Sequence, residues 1–247
     1  MTGEPPAYRL YTDLAPWWPL ISPPSQYAAE ARYLAAAIGT ADHVRAVLDL
    51  GSGGGHVAMH LKQGLAMTLV DVSEQMLAVS RQLNPDCEHQ LGDMRTVRLG
   101  RMFDVVLVHD AIDYITTEAD LRLVIETAFA HCRPGGLAVF VPDYVADTFT
   151  QQSGGGGAAD ETGRRASFSE WTWDPDPADC WVQSEYEFQL TDATGKVEVV
   201  AETHRLGAFS RNTWRALLGQ AGFELADPPR LDRHRPANLF TAGRPAS

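Results

Sequence analysis

The sequence predicts an α/β fold, a mostly parallel sheet with helices on both faces. Three observations carry this expectation. Short apolar runs alternate with amphipathic helical stretches from Val44 to Val141. A glycine cluster, Gly51-Ser52-Gly53-Gly54-Gly55, stands where the first apolar run gives way to a helix. The composition is globular, with 45% hydrophobic and 21% charged residues. A chain of 247 residues fits a single domain, 1–247. A domain of that size buries roughly three-quarters of its extended-chain surface.

The elements follow in order. Residues 1–26 are irregular and aromatic, with Tyr8, Tyr11, Trp17 and Trp18 among Pro19, Pro23 and Pro24. Tryptophans in a loop are costly unless they pack on something. Residues 25–38 read as a helix, because Ala28, Ala31, Leu34, Ala35 and Ile38 form one apolar stripe. Residues 44–50 read as a buried strand ending near Asp49, and 56–63 as the helix after the glycines. Residues 66–70 are a second strand, closed by Asp71. Ser73 caps a helix that Asn84-Pro85 stops. Residues 103–108 form a strand and 121–132 a helix; Pro134-Gly135-Gly136 reads as a turn before a strand at 137–141. The run at 153–159, nearly all glycine and alanine, reads as a mobile loop. Residues 180–190 and 196–206 form a small antiparallel hairpin around Asp192-Ala193-Thr194-Gly195. Ser210 caps a helix to Ala221 with Gly222 at its C′ position, and 238–242 is a last strand.

Right-handed crossovers gather the strand C-termini on one edge, where open α/β sheets bind ligands. Asp49, Asp71, His109, Asp110 and Asp143 fall there.

The net charge of -12 opposes binding to nucleic acid or to an anionic membrane. Arg230, Arg233 and Arg235 cluster, but beside Asp227, Asp232 and prolines, so a solvated loop is expected. Cys87, Cys132 and Cys180 are odd in number and lack metal-ligand spacing. Reduced thiols and no metal are expected. The N-terminal MTGEPPAYRL has no apolar core and reads as no signal peptide; no run of 18 apolar residues occurs. The chain is therefore expected to be cytoplasmic.

The glycine loop has the pattern D-x-G-x-G-x-G from Asp49 to Gly55. Its glycines let the backbone turn sharply and let a ligand approach. The dinucleotide pattern G-x-G-x-x-G needs glycine at position 56, where His56 stands, so a nicotinamide-dependent oxidoreductase loses its fingerprint. Asp49 is poor company for a pyrophosphate but can orient a cationic sulfonium–amino acid ligand. Asp71, at the next strand's end, can accept from both hydroxyls of a ribose. In Gly92-Asp93-Met94, Asp93 can accept from an adenine amino group while Met94 packs on the ring.

The succession VLDLGSGGG, LVDVSEQML, LGDM and CRPGGLAVFVP resembles the class I S-adenosylmethionine-dependent methyltransferases over about residues 25–145. More narrowly, Tyr27-Ala28-Ala29-Glu30-Ala31, the stretch His89 to Arg95 and Arg98-Leu99-Gly100-Arg101 resemble the small-molecule N,N-dimethyltransferases of nucleotide-linked amino sugars. The resemblance implies a Rossmann-like, seven-stranded, mostly parallel sheet and S-adenosylmethionine as cofactor. It implies a lid at 1–26, partly matched by Tyr8-Arg9-Leu10-Tyr11, a cofactor-binding core at 27–145, a substrate-side loop and hairpin at 146–209, and a C-terminal helix with last strands at 210–247. Tyr27 would hold the cofactor, Tyr11 would contact either ligand, and Val72 and Met76 would join Asp49, Gly51, Gly53, Asp71, Asp93, Met94 and His109 around it. The chain departs from that branch at Gly51-Ser52-Gly53, at the charged stretch His109-Asp110-Ala111-Ile112-Asp113-Tyr114, and in the glycine run at 154–157.

The acceptor implied is the nitrogen or oxygen of a small molecule, an amino sugar or another secondary metabolite. An amine needs only to be neutral, whereas a hydroxyl wants a base. His109 and Asp110 are the candidate catalytic residues: His109 reads as a packing group or a base, and Asp110 and Asp113 as ligands for an aminium or as helix caps. Tyr114 reads as core, Asp143 as a site residue or part of a turn. Alternation puts Glu202, His204 and Leu206 on one face of a strand. Trp17, Trp18, Trp171 and Trp173 read as lining an apolar or sugar-binding cleft, with covering the sheet edge as the alternative for Trp171 and Trp173. The rivals are a protein or RNA methyltransferase, which for RNA wants a basic groove and a D/N-P-P-Y/F segment where this chain has His109-Asp110-Ala111-Ile112, and a non-catalytic cofactor-binding scaffold. The sequence leaves monomer and homodimer open.

Overall fold

The computed structural model describes residues 7–39, 43–226 and 238–246. After 3-10 turns at Arg9–Tyr11 and Ala15–Trp17 come α1 (Trp18–Ile21), a 3-10 turn at Pro24–Tyr27 and α2 (Ala28–Ile38). The core then alternates: β1 (Ala46–Leu50), α3 (His56–Leu61), β2 (Ala66–Asp71), α4 (Glu74–Leu83), β3 (Glu88–Leu91), β4 (Phe103–His109), a 3-10 turn at Ala111–Tyr114, α5 (Glu118–His131) and β5 (Cys132–Val141). Four long or mid-length strands follow, β6 (Gln152–Ala159), β7 (Arg165–Trp173), β8 (Trp181–Thr191) and β9 (Val197–Gly207). The chain ends in α6 (Arg211–Ala221), β10 (Glu224–Ala226) and β11 (Phe240–Gly243).

Seven strands form one sheet in the order β10-β11-β5-β4-β1-β2-β3. β1, β2, β3, β4 and β5 pair in parallel, while β11 runs antiparallel to β5 and to β10. Period-two alternation splits each strand between two cores. Leu48, Val106 and Phe140 pack with α5 and α6 through Leu121, Val124 and Trp214. Val47, Leu107 and Val139 pack on the other face with Leu34 of α2 and Leu61 of α3. The helices start as their caps require: Ser73 Oγ accepts from Met76 N at 3.1 Å, and Ser210 Oγ from Thr213 N at 3.0 Å. Gly222 closes α6 at φ +96°.

Three sequence expectations are corrected. The glycine run at 153–159 is not a mobile loop: β6 pairs with β7 in unbroken antiparallel register from Gln152↔Thr172 to Ala159↔Arg165. Its strand character comes from that partner. Gly155 allows the close approach, since a Cβ there would lie 2.6 Å from Phe168 O. The expected hairpin is accordingly two strands of a four-stranded sheet, β6-β7-β8-β9. Pro134-Gly135-Gly136 is not a turn but the irregular start of β5, with the register against β4 shifting between Phe103 and Val105. β3 and β10 complete the expected seven strands but were not located from the sequence, being short and at the edges. The residues Asp227, Arg230, Asp232, Arg233 and Arg235 lie outside the described residues, as does Glu4.

The aromatic N-terminal segment is anchored. Leu10, Leu14, Leu20 and Ile21 are buried against Ala166, Phe188, Leu190 and Val200 of the second sheet. Burial of this kind contributes about 1.5–3 kcal/mol per large aliphatic side chain before ordering costs. Among the described residues no helix is long and apolar enough to cross a membrane.

Candidate active site

The C-terminal edge of the parallel sheet, the N-terminal segment and the inner face of the second sheet enclose a cleft of about 1170 Å³. Every candidate site residue read from the sequence lines it: Tyr11, Tyr27, Asp49, Gly51, Gly53, Asp71, Val72, Met76, Asp93, Met94, His109 and Asp110.

The glycine loop is laced to the end of β2. Gly51 N and Ser52 N donate to Val70 O at 2.8 and 3.0 Å, and Gly53 N donates to Asp71 Oδ2 at 2.7 Å. Gly51 sits at φ +80°, and a Cβ there would lie 2.5 Å from Ala111 Cβ and 2.7 Å from Met94 Cε. Asp71 Oδ1 accepts from Ser73 N at 2.8 Å. Each carboxylate oxygen therefore keeps a lone pair for a diol. Asp71 is 8% exposed; burial pushes its pKa up, and the backbone amides oppose that. Asp49 is more deeply buried, and burial pushes it up to about 7 while His109 pulls the other way.

Met76 is buried under the loop, whereas Val72 stands exposed on the cleft wall. Asp93 is closed into its own neighbour: Arg95 N, Nε and Nη2 donate to it, and Arg95 also reaches Asp120 at 3.2 Å. An adenine amino group would share Asp93 with that guanidinium. Tyr27 hydrogen-bonds Ser22 Oγ at 2.8 Å and presents its ring edge-on to His56 and His109.

The far end of the cleft is acidic. His109 is 7% exposed, with Nε2 3.1 Å from Glu30 Oε1 and 3.1 Å from Asp110 Oδ1; neither contact is aligned as a hydrogen bond. Burial alone would lower its pKa, but Asp110, Glu30 and Asp143 outweigh burial and raise it to about 10. Burial raises Asp110 and Asp113 well above the carboxylate range, and Asp143 to about 6. Asp113 accepts from Asp143 N at 2.9 Å, while its other oxygen has no hydrogen-bond partner among the described residues. Asp113 is thus a strap between two loops as well as part of the wall.

The N-terminal segment is latched by a chain of polar groups. Glu202 accepts from Arg9 N at 2.7 Å and from Leu10 N at 3.0 Å. Tyr11 OH meets Tyr114 OH at 2.5 Å, and Tyr114 OH meets His204 Nδ1 at 3.0 Å. Burial lowers His204 to about 4, so its ring is neutral at physiological pH. The assignment that satisfies the chain is Tyr11 donating to Tyr114 and Tyr114 to His204. Tyr8 stacks on His204 at 3.8 Å. His204 backs the cleft and does not line it, whereas Tyr114, read as core, does line it.

Trp18 lines the cleft, and Trp17 lies under Arg164 at 4.2 Å. Trp171 and Trp173 stack on each other at 4.3 Å away from the cleft, with Trp171 44% exposed. Sequence reasoning did not single out Glu30 of α2 or Glu170 and Tyr186 of the second sheet as site residues. His56, noticed only as a missing glycine, is 3% exposed in the cleft wall, and burial lowers it to about 4. Among the described residues no cluster of side chains has the makings of a metal site.

Residues 47–136 match the family described as Methyltransferase domain. The chain is 32% identical over 126 residues to the dTDP-3-amino-3,4,6-trideoxy-alpha-D-glucopyranose N,N-dimethyltransferase of Streptomyces venezuelae, covering 50% of this chain and 53% of that protein. It is 26% identical over 209 residues to the dTDP-3-amino-3,6-dideoxy-alpha-D-glucopyranose N,N-dimethyltransferase of Streptomyces fradiae, covering 82% and 80%. The first match thus spans about half of that relative's length. The fold superposes on S-adenosylmethionine-bound CalS10, an amino pentose methyltransferase from Micromonospora echinaspora, with a TM-score of 0.75, 25% identity and coverage of 98% and 100%.

Proposed function

We propose, the chain being a class I S-adenosylmethionine-dependent methyltransferase, that its acceptor is the amino group of an amino sugar. The observation that carries this is the acidic lining of the cleft: Asp110, Asp113, Asp143 and Glu170 all line it. Arg95, the one arginine among the described cleft residues, is engaged by Asp93 and Asp120. Such a wall attracts an amine and repels a carboxylate acceptor. Relatives that methylate amino sugars favour the same class of acceptor.

The residues present fit the cofactor. Asp71 would offer two oxygens to the ribose, Gly51 and Gly53 would leave room for close approach, Asp49 would meet the cationic amino-acid end, and Tyr11 and Tyr27 would cover it. S-adenosylmethionine supplies a methyl carbon already activated by a positively charged sulfur. The protein's task is then to align the acceptor nitrogen and exclude water. The lid latched by Glu202 supports water exclusion. An amine, once it has shed its ammonium proton, has its own lone pair, so no strong base is needed. His109, charged among carboxylates, is ill-suited to be one.

The three cysteines are unpaired thiols, which is in keeping with work in the cytoplasm. The net charge of -12 argues against RNA as acceptor. The test is to incubate the protein with S-adenosylmethionine and a set of 3-amino and 4-amino sugars, free and dTDP-linked, and to read products by mass. Addition of one or two methyl groups to nitrogen is expected. Methylation confined to hydroxyl or carboxyl acceptors would overturn the reading.

A further inference from the structure

His109 ends β4, and its ring faces carboxylates from four elements: Glu30 from the first turn of α2, Asp49 from β1, Asp110 from the residue after β4, and Asp143 from the loop after β5. Tyr27, edge-on at 6.4 Å, is the other titratable neighbour. The two contacts at 3.1 Å put Glu30 and Asp110 on the same nitrogen. Asp110 carries a second mark. Its φ is +47°, in the left-handed region that residues with a Cβ rarely adopt, and its amide donates to Val141 O at 3.1 Å. Strained backbone of this sort persists where the surroundings hold it, and it clusters at functional sites. The Asp110 side chain is 41% exposed, open to the cleft.

We propose that Glu30 is a positioning residue for methyl transfer: through His109 it fixes the Asp110 carboxylate at the acceptor end of the cleft. The inference rests on the amine reading of the acceptor. With Asp110 alone, the His109 ring would face one close carboxylate, and the pair would be free to part. Glu30 supplies the second negative charge, so the charged ring is attracted by two carboxylates at the same nitrogen and stays beside both. Asp110 Oδ1 is the oxygen that lies against the His109 ring, 3.1 Å from Nε2, and Oδ2 is the one left for the acceptor. Aliphatic amines arrive as ammonium ions. One N–H bond breaks, its electron pair stays on nitrogen as the nucleophilic lone pair, and the proton goes to the Asp110 carboxylate and on to water as product leaves. Burial holds Asp110 above the ordinary carboxylate range, which suits it to take that proton. The charged His109 ring has no lone pair to offer. The competing role for Glu30 is an acidic residue favouring the first turn of α2, which needs no tie to His109.

The test is a side-chain NMR titration of the full chain with S-adenosylhomocysteine bound, the His109 signal being assigned by its loss in His109→Gln. The expected result is a His109 midpoint above about pH 8, against ~6.5 for a free imidazole. In Glu30→Gln the midpoint should fall by about one pH unit or more, and Glu30→Asp should recover part of it. A wild-type midpoint near ~6.5, or no change in a Glu30→Gln protein that still binds S-adenosylhomocysteine, would overturn the proposal. Should Glu30→Gln fail to fold, the wild-type and Glu30→Asp titrations decide by the same criteria. No acceptor is needed for this readout, so a failure to methylate amino sugars and a failure of the Glu30 assignment are separate results.

Discussion

The Gly53 amide donates to Asp71 Oδ2 at 2.7 Å, and that bond joins the turn after β1 to the end of β2. The residue that shapes the loop and the residue proposed to hold the ribose are therefore one structural unit. Ser73 N holds the other oxygen at 2.8 Å, so the carboxylate is fixed at both ends before a ligand arrives. A preorganised acceptor of this kind loses little order on binding.

Gly51→Ala tests the loop. The added Cβ meets Ala111 Cβ at 2.5 Å at a position with φ +80°. The substitution should destabilise the fold by about 1–3 kcal/mol. Cofactor affinity should fall with it, because Gly51 lines the cleft. Thermal melting and calorimetry check both; a variant as stable and as tight as wild type would contradict the close-approach account.

Asp49 gives the cofactor affinity a pH dependence. Burial raises its folded pKa from 3.8 to about 7. A raised carboxylate contributes stability that is fully present below its unfolded pKa and is lost as pH rises through about 7. Holding a cationic amino-acid group needs the ionised form, so binding pulls the other way. Affinity for S-adenosylmethionine should weaken as pH falls below about 7, by up to about tenfold per unit. Asp49→Asn should bind weakly and lose this slope. Calorimetry across pH at constant ionic strength measures it, and a flat wild-type profile would count against Asp49.

The latch on the N-terminal segment predicts a local effect. Glu202→Ala removes the acceptor of the Arg9 and Leu10 amides. Hydrogen bonds to a charged group are worth about 1.5–3 kcal/mol each. Amide exchange at Leu10 and Tyr11 should speed up by roughly tenfold or more, with little change in β4 and β5. Uniform exchange across the chain, or none, would show that the latch lies elsewhere.

The sequence made the parallel core legible because β1, β2, β4 and β5 are apolar runs buried on both faces, with Leu48, Leu69, Leu107 and Val139 fully buried. β3 reads Glu88-His89-Gln90-Leu91 and stays largely open to solvent, so it carries no apolar signal. β6 hid for a different reason. Its glycines have no propensity for a strand, and only the register with β7 makes them one. That Asp49 and Asp71 line the cleft was legible because strand ends place them, a feature local to the sequence. Glu30 and Glu170 were not, because α2 and the second sheet reach the cleft only through tertiary packing. His109 was found by position, but its charge depends on Glu30 and Asp143, which are distant in sequence.

The most direct measurement is calorimetric titration of wild type and Asp71→Ala with S-adenosylmethionine and S-adenosylhomocysteine, with NAD as control. In the proposed complex Asp71 accepts from both ribose hydroxyls, and losing the carboxylate would remove two hydrogen bonds of about 1.5–3 kcal/mol each, because the acceptor is charged. The predicted result is that both sulfur ligands bind wild type, that both weaken by about a hundredfold or more in Asp71→Ala, and that NAD binds neither protein. Equal binding of the sulfur ligands to both proteins, or binding of NAD alone, would contradict the account.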